Sequence, residues 1–331
     1  MASLNDKVQN ALDEARLLVL GSQVLLGLQY RSVFESGFDQ LPAHAKYMKL
    51  IGLFSLLVAF VLLVWPGAYH RVVSRGADTQ DVHNFTTRVM EVALLPFAFA
   101  LALELFIAAE KTAGTVAGIV AGVSSGLLSL TFWYGIEMFA ASTYDSHASN
   151  NPPSTGNSVG SNSGGSNSVG SKLKDKIKHV LTETRVVLPG AQALFGFQLV
   201  TILMEAFDTL PELSKYVHLA SLGSIAVSVI LLMTPAAHHR IVEKGEDTER
   251  FHRFASHTLL AAMVPLALGI CGDLFVVTWK VTQSFEFSVT SSAATLVLFF
   301  SLWFGLPGYW RRSTISAKRW PEQRDASAAQ R

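Results

Sequence analysis

The sequence predicts an all-α integral membrane fold: eight transmembrane helices forming two parallel, same-orientation four-helix repeats in pseudo-twofold relation. Three observations carry this prediction. Half of the 331 residues are apolar, only 15% are charged and the mean hydropathy is +0.35, whereas a soluble domain carries about 25% charged residues. Eight segments approach the roughly 20 apolar residues that a bilayer core requires. The chain also matches itself at a shift of 169, without a gap from Asp6/Asp175 to Phe106/Phe275.

In chain order the expected spans are Leu17–Phe34, Met48–Tyr69, Val89–Ala109, Gly114–Ala141, Val186–Phe207, Val217–Ala237, Thr258–Trp279 and Ser288–Tyr309. The first holds Gln23, Gln29 and Arg31, and repeat alignment supports it where hydropathy is weak. Residues 1–16 alternate apolar and charged positions and do not read as a signal peptide. Leu4, Val8, Leu12 and Ala15 recur at helical spacing, which predicts an amphipathic lead-in at the membrane surface. The pairs Pro42/Pro211, Pro66/Pro235, His70/His239, Arg71/Arg240, His83/His252 and Pro96/Pro265 all fall on the 169 shift, and Trp133/Trp303 agree at 170. This is an internal duplication.

The expected domains are a first four-span repeat (1–142), a Ser/Gly/Asn-rich linker (143–172), a second repeat (173–312) and a basic tail (313–331). A linker of that composition cannot bury enough surface to fold. Four spans per copy put the termini and linker on one side, and 20 of the 26 Lys and Arg fall there. The positive-inside rule makes that side cytoplasmic. A net charge of +1 excludes a nucleic-acid binder driven by phosphate neutralisation. The one cysteine, Cys271, permits no intramolecular disulfide and reads as a small buried hydrophobe. No phosphate loop, nucleophile elbow or paired-carboxylate hydrolase pattern is present, so no enzyme activity is expected.

The residues that could carry function begin with a repeated stretch. Glu14, Arg16, Gln23 and Gln29 recur as Glu183, Arg185, Gln192 and Gln198. Buried glutamine amides must find partners in a membrane. They form either a helix-packing seam, with glycines allowing close approach, or a polar path for an ion or small solute. Glu104 and Asp273 are equivalent acids within spans three and seven, and intramembrane acids are functional candidates. Arg31 is the expected partner of Glu104. Asp273 lacks a matching base and is read as protonated or paired with Gln198. His70, Arg71, His83, His239, Arg240 and His252 lie at the cytoplasmic interface as anchors. A lesser alternative lets the histidines, with His238 and His257, bind haem b or a divalent metal; no cofactor is otherwise expected. Asp39 and Asp208 read as helix caps near Pro42 and Pro211, and Gly114–Gly126 as a packing face. Expected partners are the bilayer and the two repeats themselves, paired as a covalent pseudo-dimer.

Glu-x-Arg, then Gly-x-Gln-x-Leu-x-Gly, a Phe near the far end of that helix and Pro-x-x-x-His-Arg after span two resemble a bacterial domain-of-unknown-function family of four-span membrane proteins. The second copy matches better, through Leu188-Pro-Gly-Ala-Gln-Ala-Leu-Phe-Gly-Phe197 and Pro235-Ala-Ala-His-His-Arg240. The first copy departs at Leu20, where the second has Pro189, and at Leu26 and Leu28, where the second has Phe. The resemblance implies a fold and a location, a bacterial inner membrane, and no activity. Three functional readings follow: an ion or small-solute pathway lined by spans one and five, a non-conducting scaffold, or a haem-binding module.

Overall fold

A computed structural model describes residues 4–74, 76–135, 182, 187–241 and 248–313. The expected linker, the tail from 314, Glu183 and Arg185 lie outside the described residues. Every regular element among them is helical. The long helices are α1 (Leu4–Ser32), α2 (Ala43–Val72), α3 (Gln80–Ala113), α4 (Thr115–Leu130), α5 (Val187–Thr201), α6 (Glu212–Ile241), α7 (Glu249–Thr282) and α8 (Phe285–Phe300). One-turn helices Ser36–Asp39 and Glu205–Asp208 precede α2 and α6, and π turns Thr131–Gly135 and Ser301–Gly305 follow α4 and α8.

The duplication is visible in these bounds. The one-turn helix, α2 and α3 begin and end 169 residues before their second-repeat equivalents, while α4 and its π turn precede theirs by 170. The extra residue sits in the α7–α8 turn. Gly114, at φ 89°, closes α3 and directly starts α4, whereas Gln283 takes the left-handed conformation (φ 54°) and Ser284 follows as N-cap. Thr79 and Thr248 cap α3 and α7 identically, each side chain accepting a backbone N–H three residues on. Pro42, not Asp39, is the N-cap of α2; Asp39 ends the one-turn helix, which corrects the capping expectation.

Among the described residues six helices are long and apolar enough to cross a membrane: α2, α3, α4, α6, α7 and α8, with α4 and α8 counted with their extensions. Interior prolines at 66, 96, 235 and 265 are tolerated in such helices because neighbours satisfy the freed backbone. The α4 apolar window is 11% buried and that of α7 is 67%, so α4 is peripheral and α7 central. Val116, Ile119, Val120 and Val123 leave α4 outward, as an apolar solvent would require. The lead-in does not stand apart at a surface. It is continuous with α1, and Val8 and Leu12 are buried against Val82 and Tyr69, because the apolar stripe finds protein to cover.

The packing face on α4 holds. A Cβ on Gly118 would lie 3.0 Å from the Phe106 carbonyl, and one on Gly122 3.1 Å from that of Ala102. These glycines let α4 approach α3 backbone to backbone. Gly122→Val is therefore expected to cost about 1–3 kcal/mol through overpacking, read as a lower melting temperature in detergent. Gly67→Ala, where nothing lies within 4 Å, is expected to leave the melt unchanged or raise it.

One hydrophobic core draws on both repeats. Trp303, from the second π turn, is fully buried, donates Nε1–H to the Val61 carbonyl at 3.1 Å and meets the Phe60 and Phe299 rings edge-on. Tyr30 of α1 donates its hydroxyl to the Ile270 carbonyl of α7 at 3.0 Å.

Candidate functional site

Each repeat brings an acid, a base and a glutamine together from its first three helices. In the second repeat Asp273 lies on α7, His218 on α6 and Gln198 on α5. The Gln198 side-chain amide donates to Asp273 Oδ2, and His218 Nδ1 lies 3.2 Å from Asp273 Oδ1. On its other edge His218 Nε2 is 3.1 Å from the Gln198 backbone carbonyl, which can only accept, so that nitrogen carries a proton. Asp273, His218 and Gln198 are 3%, 3% and 4% exposed.

In the first repeat the same positions hold Glu104, Lys49 and Gln29. Lys49 Nζ lies 2.5 Å from Glu104 Oε2 and donates to Ser32 Oγ at 3.3 Å. Gln29 Nε2 donates to Glu104 Oε1 at 3.2 Å. The 169 shift relates every member: 29/198, 32/201, 49/218 and 104/273. The local fold places them. Helix α2 starts at Pro42, so Lys49 stands two turns inside it, ~10 Å from its start. Both acids sit eight residues past a helix-interior proline.

The two sites differ in access. Around the Asp273–His218 pair the free space is about 10 Å³, on the order of a single water. Tyr30 of α1, Phe34 of the turn that follows it and Phe197 of α5 line it. Around Lys49 and Glu104 two cavities of about 330 and 230 Å³ adjoin, and Ser32, Lys49 and Glu104 line both. The inner cavity is otherwise largely apolar, with Leu25, Leu28, Leu56, Phe97 and Leu101. The outer one reaches Glu35, Gly37 and Lys111 at the one-turn helix. The asymmetry has a direct cause in α1. Its Gln29 and Ser32 face the first site, while Tyr30 and, in the turn after the helix, Phe34, 5% and 3% exposed, cover the second. The equivalent positions are Leu199 on α5 and Leu203 in the turn after it, 44% and 85% exposed.

The remaining predicted residues disperse. Arg31 pairs with Glu35 at 2.7 Å, so Lys49 takes its expected place beside Glu104: the lysine enters from a neighbouring helix, whereas Arg31 is one turn from Glu35 on its own strand of chain. Gln198 does pair with Asp273, as expected. Arg16 is buried and paired with Asp13, and Glu14 is exposed. Gln23 is fully buried where α1 crosses α5, with Gly190 making room for it, and neither amide atom has a hydrogen-bond partner among the described residues. Its equivalent Gln192 is exposed. The glutamines therefore do not form one continuous polar face.

The histidines also stay apart. His70 lies 3.4 Å from Asp78 Oδ1, His238 packs 4.5 Å from the Phe254 ring and His239 4.7 Å from that of Phe251. Arg71 donates to Ser256 across the repeats at 3.1 Å. His83 and His252 are half-buried and His257 is exposed; of Arg240 only the backbone is described. Among the described residues no three His, Cys, Asp or Glu converge as a metal site would require. Sequence reasoning missed Lys49 and His218. The signal was there: the repeat shift pairs a base with a base, as it pairs Glu104 with Asp273.

A family model matches the chain twice, over residues 2–137 and 167–307, and its description is a family of unknown function (DUF6328). No curated protein matches, and no solved structure does.

Proposed function

Because the chain belongs to that family through both halves, its activity has to be argued from the site, and we propose that it is a multi-pass membrane protein admitting an ion or small polar solute to the Lys49–Glu104 pair. One observation carries this reading: the pair and Ser32 line two adjoining cavities, and the second of them reaches Gly37 and Phe38 of the one-turn helix. At about 30 Å³ per water, the inner cavity has room for roughly ten waters or a small solute. A mostly apolar pocket with a few convergent polar groups is the usual form of a small-molecule site. An ion pair held away from bulk water is costly unless its charges are used or hydrated.

This narrows the pathway expected along α1 and α5. Only the outer half of α1 contributes, and α2 and α3 supply the charge. In the same reading α1 and α5 complete eight crossings, with two four-span repeats as a covalent pseudo-dimer. The termini and linker face the cytoplasm of a bacterial cell, and the one-turn helices face outward. The packed second site and the fully buried Gln23 favour the rival reading, a non-conducting scaffold.

Cysteine accessibility separates the two. In a Cys271→Ser background, Ser32→Cys is expected to react with a charged, water-soluble thiol reagent added from the one-turn-helix side, and Thr201→Cys to resist it. Glu104→Gln and Lys49→Met should then abolish solute flux in proteoliposomes. An unreactive Ser32→Cys would sink the proposal and leave the scaffold.

A further inference from the structure

We propose that Asp273 and His218 together form a binding site for a single proton, sealed from water by Tyr30, Phe34 and Phe197. The count of hydrogen-bonding positions leads there. One imidazole proton is committed to the Gln198 carbonyl, and Asp273 Oδ2 is occupied by the Gln198 amide. What remains is the 3.2 Å gap between Nδ1 and Oδ1, which two bare acceptors would not share and one proton joins.

With that proton the pair is neutral, whether written as carboxylic acid and imidazole or as carboxylate and imidazolium. Without it the pair carries a buried −1 charge, and with a second proton a buried +1. Either charge in a space of about 10 Å³ would be strongly disfavoured. The surroundings do not compensate. Beside the pair stand Tyr30 from α1 and Cys271 from α7, both neutral in their ordinary states, with Gln198 and Thr201 from α5. Lys280, two turns further along α7, points to Asp39 at 3.6 Å.

The first repeat shows what the alternative looks like. There the base is Lys49, an ammonium that only donates, so Glu104 meets a donor and no shared proton has to join two acceptors. The duplication thus set a lysine–carboxylate pair at the open site and a pair joined by one proton at the sealed site. The seal determines when the proton moves. Were Tyr30 and Phe34 withdrawn, water would reach the pair, hydrate either of its charged forms and let the proton exchange with solvent. This inference does not depend on whether a solute enters the first repeat.

The test uses the full-length protein in lipid nanodiscs. Imidazole ¹⁵N resonances of labelled histidine and the infrared carboxylic-acid band are followed against pH. In the wild type His218 is expected to show a shared Nδ1 proton that does not titrate across the neutral range. Asp273→Asn should remove it, with any protonated-acid band. Phe34→Ala, and Tyr30→Ala with it, should let the shared proton on His218 exchange quickly with solvent. A wild-type His218 with a bare Nδ1 and no Asp273 acid band overturns the proton site, and that measurement needs no variant to fold. A shared proton that does not exchange in a folded Tyr30→Ala/Phe34→Ala protein overturns the seal.

Discussion

Replacing His218 by leucine is expected to destabilise the protein by about 3–5 kcal/mol, the cost of leaving a buried charge without its partner. Asp273 is 3% exposed and its cavity holds space for little more than one water, so nothing else is at hand to solvate the carboxylate. Gln198 still donates to Oδ2, but Oδ1 loses the imidazole. Removing the acid as well, in His218→Leu/Asp273→Leu, should restore much of the loss, because apolar replacement of a whole buried pair is often neutral or better. Unfolding in detergent would read both variants. Lys49→Leu gives the internal comparison. The Glu104 side chain is 28% exposed and lines open cavities, so water can reach it and the penalty should be clearly smaller. Equal losses at the two sites would mean that the cavities do not hydrate Glu104.

Trp303→Ala is expected to cost about 3–5 kcal/mol, the range for removing a fully buried large aromatic. It empties a site between Phe60 and Phe299 and leaves the Val61 carbonyl without the indole donor. Phe60 and Val61 belong to the first repeat and Trp303 to the second, so the loss falls on the contact that holds the halves together. Trp303→Phe should recover ring packing but not the hydrogen bond, and lie between. The duplicate position is the control. Trp133 is only half-buried, with one ring contact to Phe97 at 6.0 Å, and Trp133→Ala should cost far less. Thermal melts of the three variants side by side would decide it.

The helical class and the repeat could be read from the chain, because each is a matter of periodicity and spacing. A 169 shift, eight apolar segments and four interior prolines need no tertiary structure to be seen. The glycine face of α4 was legible for the same reason: small residues every fourth position meet a neighbour wherever the helix lies. Glu104, Asp273, Gln29 and Gln198 were also legible, since polar groups in apolar helices stand out one at a time.

Their partners were not. Arg31 looked right for Glu104 by height along its helix, yet height does not give azimuth, and Glu35 on the same helical path was closer. Lys49 and His218 come from the second helix of each repeat, and only packing decides which of its faces meets the acid. The larger departure is between the repeats. Identical elements end in unequal surroundings because Tyr30 of α1 and Phe34 just after it lie over the second site, where Leu199 of α5 and Leu203 just after it point outward. By itself the sequence determined that the protein has two copies of one acid and glutamine pair carried on apolar helices. Only the tertiary structure decided that one set opens on a cavity and the other is sealed, because burial depends on which helix from the other repeat comes to rest above it.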